Sequence, residues 1–191
     1  MISEPTVAVV GTMDTKGAEH AFVCEVIRRY GCRTVVIDTG ILGEPRQMVP
    51  DIAAEHVARA GGTTLARVRA SGSRGPAVES MEHGLRAVLR QLLTERRIHG
   101  IVALGGAEGT VLGTSAMRAL PLGFPKIMVS AIASGRREFG PYMGATDISI
   151  MSSVVDCTGL NYISRAVFAN AAAGIAGMAK EYVNRLSLIH I

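Results

Sequence analysis

Apolar positions along this chain alternate between two kinds of run. Short unbroken runs rich in β-branched residues, at 6–10, 34–38, 98–104 and 125–129, read as strands buried on both faces, the type found in parallel sheets. Between them lie longer segments with apolar residues three and four positions apart. Residues 18–30 carry Phe22, Val23, Val26, Ile27 and Tyr30, and Gly31 stands where a helix would stop. Residues 76–95 open on Pro76 and present Met81, Leu85, Val88, Leu89, Leu92 and Leu93 as one stripe. Weaker helical patterns cover 52–60 and 109–120, and an Ala- and Gly-rich one covers 163–186. A fifth strand is expected over 147–151, with loops over 39–51 and 71–75. Strands alternating with helices predict an α/β fold: a doubly wound, mainly parallel sheet with helices on both faces. In such sheets the ligand crevice lies outside the carboxyl ends of the strands.

Composition narrows the function classes. A length of 191 residues with 48% hydrophobic content suits one large domain. Aromatics are 4% with no Trp, so its core must come from Ala, Val, Ile, Leu and Met. The net charge of +4 raises the question of a nucleic-acid partner. However, Arg86, Arg90, Arg96 and Arg97 are scattered through helical segments alongside Glu79, Glu82 and Glu95, which describes a solvated helix face. No basic stretch is interleaved with aromatics, so no nucleic-acid partner is expected. Cys24, Cys32 and Cys157 are odd in number and lack metal-ligand spacing, which indicates reduced thiols and a cytoplasmic protein. No signal-like start is evident, and residues 166–179 fall short of the ~20 a membrane span needs, so no membrane is expected. The five histidines are isolated, which leaves no protein metal site, and no Gly-x-Ser-x-Gly elbow is present. The tail 187–191 ends without a stop signal, as if the chain were truncated before a second domain.

Two turns carry candidate chemistry. Gly105-Gly-Ala-Glu-Gly-Thr110 follows a strand and opens a helix. That arrangement offers several backbone N–H groups and the positive end of a helix dipole to one point, enough to hold a phosphate. The spacing is neither G-x-G-x-x-G nor that of a P-loop, but Gly-Gly-x-x-Gly-Thr occurs in some kinases. Gly105, Gly106, Ala107, Glu108, Gly109 and Thr110 are therefore candidate contacts, against the plain alternative of a tight turn without a ligand. Glu108 would repel a phosphate unless Mg²⁺ or a lysine intervened, or unless it pointed outward. The second turn is Gly11-Thr-Met-Asp-Thr-Lys-Gly17. Asp14 and Thr15 suit ribose or phosphate groups, or a helix N-cap, and Lys16 can neutralise charge. A lysine at a helix N-terminus opposes the dipole, a cost that a bound anion would relieve. Arg74 is either a phosphate-closing donor fork or an exposed loop arginine. Ser134 and Gly135 follow the fourth strand on the same edge, and Asp147 suits Mg²⁺, a hydroxyl or a cap.

Several ordered blocks together resemble one family. These are the two turns above, Ala116-Met-Arg-Ala-Leu-Pro-Leu-Gly-Phe-Pro-Lys-Ile-Met-Val-Ser130, Ala133-Ser-Gly135, Ser153-Val-Val-Asp156 and Gly159-Leu-Asn161. They resemble the ATP-binding domain family of the tomato mosaic virus resistance protein, a domain shared by uncharacterised bacterial and fungal proteins. The resemblance runs from residue 7 to residue 182. It implies a Rossmann-like nucleotide-binding domain over 1–186, normally followed by a second α/β domain, with ATP as ligand and a homodimer as assembly. The family's nucleotide contacts map to Asp14, Thr15 and Lys16, to Gly105, Gly106 and Gly109, and to Arg74. The chain departs from the pattern at Ala107 and Glu108, where the family turn is richer in Gly and Ser. Neither the plant protein's antiviral role nor an enzymatic activity follows from the resemblance.

The leading expectation is thus an ATP-binding domain of a two-domain protein, with Mg²⁺ assisting. The alternative is a phosphotransferase or hydrolase acting on a small phosphorylated or carboxylated metabolite. A third is an interaction module that forms a homo-oligomer through its small-residue C-terminal helix.

Overall fold

In the computed structural model the described residues are 4–71, 74–133 and 139–189. Five strands form one all-parallel sheet: β1 (Thr6–Gly11), β2 (Arg33–Asp38), β3 (Gly100–Gly105), β4 (Lys126–Ser130) and β5 (Ser149–Ser152). Their spatial order is β2-β1-β3-β4-β5. β1 and β3 are buried at every position, which is why they appear in the sequence as unbroken apolar runs.

Among the described residues seven helices accompany the strands: α1 (Met13–Arg29), α2 (Ala54–Ala60), α3 (Leu65–Ala70), α4 (Arg74–Thr94), α5 (Ala107–Arg118), α6 (Gly140–Met143) and α7 (Tyr162–Ile189). The pleat divides β1 between two cores. Ala8 and Val10 join the α2–α5 side with Leu85, Leu89, Ala116 and Met117, while Val7 and Val9 join the α1–α7 side with Val23, Ile27, Phe168 and Ile175. Helices on both faces complete the doubly wound fold.

The strands lie where the apolar runs place them, and the helices differ in instructive ways. α1 begins at Met13 rather than at residue 18, because the first turn is helical up to an interruption at Lys16, whose φ and ψ are −133° and 31°. α3 has six residues, sends Leu65 and Val68 into the core, and is capped by Thr64, which accepts a hydrogen bond from the Arg67 amide at 3.2 Å. α6 has four residues and no buried side chain, too little pattern to detect. The small-residue stripe of α7 is used inside the domain. Ala171, Ala172, Ala176 and Ala179 are all 0% exposed, and a Cβ at Gly174 would come within 3.3 Å of the Ile127 side chain. These alanines pack against the sheet and α1, while Ala166, Gly174 and Gly177 of the same helix stay exposed.

Candidate functional site

The chain leaves β1 for β2 on one side, then crosses back to place β3 on the other. The sheet order therefore reverses between β1 and β3, and at such a point the loops from adjacent strand ends diverge and open a crevice. The β1–α1 turn and the β3–α5 turn lie at that point. Thr12, Asp14, Thr15 and Lys16 of the first face Gly105, Gly106, Ala107, Glu108 and Gly109 of the second across a cleft of about 350 Å³, which Ile41 and Leu42 close at the side. The two glycine-bordered bends do converge.

Local chemistry fixes each turn. A Cβ at Gly105 would come within 2.7 Å of the Gly109 Cα, so β3 can bend into α5 only through glycine. At Gly106, the N-cap of α5, a Cβ would meet nothing, and the backbone there lies open to the cleft. The first turn of a helix lacks i−4 carbonyls for its amides, and the first-turn residues Ala107, Glu108 and Gly109 line that space. Thr110 is fully buried. Its hydroxyl donates to the Gly106 carbonyl at 2.7 Å and pairs with the Ser130 hydroxyl at 2.7 Å. Thr110 therefore braces the turn from behind and does not line the cleft.

In the first turn, Asp14 is 5% exposed. Its Oδ2 accepts from the amides of Leu42 at 2.7 Å and Gly43 at 3.1 Å, which draws the β2–α2 loop over the cleft. Its Oδ1 is buried without a hydrogen-bond partner, beside Gly40, where a Cβ would come within 2.7 Å of that oxygen. Thr15 is exposed and pairs with the Thr12 hydroxyl at 2.7 Å. Lys16 is half-buried at the break in α1 and forms no ion pair with any described residue. Ala107 and Glu108 are exposed in the first turn of α5, with Glu108 on the cleft wall.

The remaining candidates separate. α4 opens at Arg74 and runs antiparallel to the strands, so that residue stands on the carboxyl side of the sheet. Ser134 and Gly135 lie outside the described residues. Asp147 does not belong to the crevice. It precedes β5, and in a parallel sheet the residue entering a strand lies at the amino edge, opposite the two turns. There its carboxylate receives the Lys126 ammonium at 2.6 Å and the Gly123 amide at 2.7 Å. Desolvation pushes its pKa up, but those two donors outweigh it and hold the carboxyl down at about 2.

Two residues absent from the sequence reading complete the carboxyl edge. Asp38, at the end of β2, accepts from Met13 at 2.9 Å and Gly40 at 2.8 Å, and burial raises its pKa. Glu19 is 4% exposed and accepts from the Gly159 amide at 2.5 Å, tying the β5–α7 loop to α1. Around it lies a second cavity of about 560 Å³, which shares Asp14, Thr15 and Leu42 with the cleft. Cys24 and Cys32 lie away from this chemistry, whereas the buried Cys157 thiol donates to the Gly105 carbonyl at 3.5 Å, beneath the β3–α5 turn. Burial pushes Cys24 up to about 11 and raises Cys32 and Cys157 as well. No described helix is long and apolar enough to cross a membrane, and the described residues hold no cluster of three metal-ligating side chains.

Residues 5–184 match the N-terminal domain of UPF0261, described as an uncharacterised protein family. A UPF0261 protein of Clostridium tetani is 41% identical over 174 residues, 91% of this chain and 42% of that protein. The ToMV susceptible protein tm-1(GCR26) of tomato, Solanum lycopersicum, is 33% identical over 193 residues, 92% of this chain and 25% of the plant protein. The chain thus spans about two fifths of the bacterial relatives' length. A crystal structure of a putative hydrolase of the α/β superfamily from Xanthomonas campestris aligns with 97% of this chain and 99% of its own, at a TM-score of 0.39 and 12% identity. On the family match and the relatives' identities, this chain belongs to the UPF0261 family and corresponds to its N-terminal domain.

Proposed function

We propose that this domain binds ATP, with the phosphates held in the cleft between the β1–α1 and β3–α5 turns. The observation that carries the reading is the meeting of two helix-opening turns from adjacent strands across one cleft, with Lys16 beside it and in no ion pair with a described residue. The fit to a phosphate chain rests on the open backbone at Gly106, the close approach allowed by Gly105, and the dipole of the 12-residue α5. Lys16 supplies the positive side chain that a polyanion requires. Glu108 works against a bare phosphate, and a Mg²⁺ between the two would turn that repulsion into attraction. Bound there, Mg²⁺ would neutralise phosphate charge. The adjoining 560 Å³ cavity gives the rest of the nucleotide room without displacing either turn.

The test is calorimetric titration of the chain with ATP and Mg²⁺. Saturable binding is expected, and Lys16→Ala should weaken it about tenfold, the loss of one charge-assisted contact. Gly106→Val, which places a branched side chain in the cleft mouth, should weaken it at least as much. If both variants bind ATP as the parent chain does, the phosphates lie elsewhere. If the parent binds no ATP, the reading fails outright.

A further inference from the structure

Beneath the first turn lies a group that the phosphate contacts leave unused. His20 is 0% exposed and sits one helical turn beyond Lys16. Its Nδ1 is 2.6 Å from the Lys16 carbonyl oxygen, and its Nε2 is 3.2 Å from the Val10 carbonyl oxygen. The ring also fills the space at Gly11, where a Cβ would come within 1.9 Å of Nε2. The imidazole is thus wedged between the end of β1 and the residue at which α1 leaves helical geometry.

Counting hydrogens gives this wedge its meaning. A carbonyl oxygen only accepts, and a neutral imidazole carries one N–H and one lone pair. Neutral His20 therefore satisfies one of the two carbonyls and turns a lone pair toward the other. An imidazolium donates to both. Burial is the largest influence and lowers the pKa, while the two carbonyls and the nearby Glu19 raise it and Lys16 lowers it again. Glu19 and Lys16, both on α1, are the charged groups acting on the ring, and β1 brings only the backbone of Val10 and Gly11.

We propose that His20 is the positioning residue of the anion-binding turn, and that it takes up one proton from solvent when an anion enters the cleft beside Lys16. The inference rests on the phosphate reading above. An anion at Lys16 offsets the repulsion between the ammonium and an imidazolium. The proton settles on the ring nitrogen that lacked one and converts a lone-pair contact into a hydrogen bond. Both carbonyls are then held, and the break at Lys16 is fixed in the conformation that faces the cleft. Because the coupling is reciprocal, lower pH tightens anion binding by the amount that the anion favours the proton.

The experiment is calorimetry of the chain with ATP and Mg²⁺ at about pH 6 and about pH 8, each in two buffers of different ionisation enthalpy, since this is the range in which histidine changes charge. The parent is compared with His20→Leu and His20→Gln, so that the titration of ATP itself is common to all three. The parent should take up more protons on binding than either variant, and its affinity should gain about fivefold more on going to low pH. ¹⁵N spectra of the imidazole should show both ring nitrogens protonated once ATP is bound. Equal proton uptake by parent and variants overturns the role of His20 and leaves the phosphate site standing. If neither variant folds, the imidazole spectrum of the parent decides, and a ring that keeps one proton in the complex overturns the proposal. Failure of the parent to bind ATP at either pH removes the phosphate reading and this inference with it.

Discussion

The two edges of the sheet each hold a lysine, and the contrast between them separates structure from candidate function. At the amino edge Lys126 is 0% exposed, yet its ammonium meets the Asp147 carboxylate at 2.6 Å and the Pro121 carbonyl at 2.8 Å. Two acceptors within the fold thus hold the buried ammonium. At the carboxyl edge Lys16 lines a cleft and forms no ion pair with a described residue, while open backbone at Gly106 stands across from it. A buried charge is tolerated only when its partners are supplied. Lys126 finds those partners inside the chain, whereas Lys16 lies beside an open cleft.

The largest effect should come from opening the closed edge. Asp147→Ala leaves a buried ammonium uncompensated and should cost about 3 kcal/mol, measured by urea unfolding, with ATP affinity unchanged. A loss of affinity in that variant would join the two edges and undo the contrast. Gly105→Ala comes next. The added methyl would lie 2.7 Å from the Gly109 Cα, a backbone atom that cannot swing away, so about 2 kcal/mol of stability should be lost along with binding. Lys16→Ala should do the reverse of Asp147→Ala, weakening binding while shifting stability by less than about 1 kcal/mol. Acid gives the smallest and most specific test. The Asp147 carboxyl is held at about 2, below its ordinary value, so the stability it contributes is complete above about pH 4 and fades as pH falls through about 2. Melting temperature followed across that window should fall less steeply in Asp147→Asn than in the parent chain.

Much of this arrangement is legible in the chain before any coordinates. Strands buried on both faces write themselves as solid apolar runs, and glycines next to those runs mark where the sheet hands over to helices. Eight of the contacts proposed from sequence, Asp14, Thr15, Lys16, Gly105, Gly106, Ala107, Glu108 and Gly109, line one cleft. What sequence spacing hides is depth. Thr110 belongs to the same turn but faces inward, because its hydroxyl finds Ser130 on the neighbouring strand, a partner 20 residues away. Asp147 shows a rule left unused. A residue that begins a parallel strand stands at the wrong edge for the crevice, whatever its chemistry. The same rule run forwards points to Asp38, which ends β2 and does lie at the right edge. The short helices α3 and α6 escape because a helix of one or two turns has too few positions to establish a period.

The hydroxyl pair between Thr110 and Ser130 has a consequence for how a guest would be received. It ties the opening of α5 to the end of β4, so the loop acquires its shape when the sheet assembles. A molecule arriving later would meet finished walls, with little chain left to immobilise. Recognition at such a mouth should be quick to form and selective for shape.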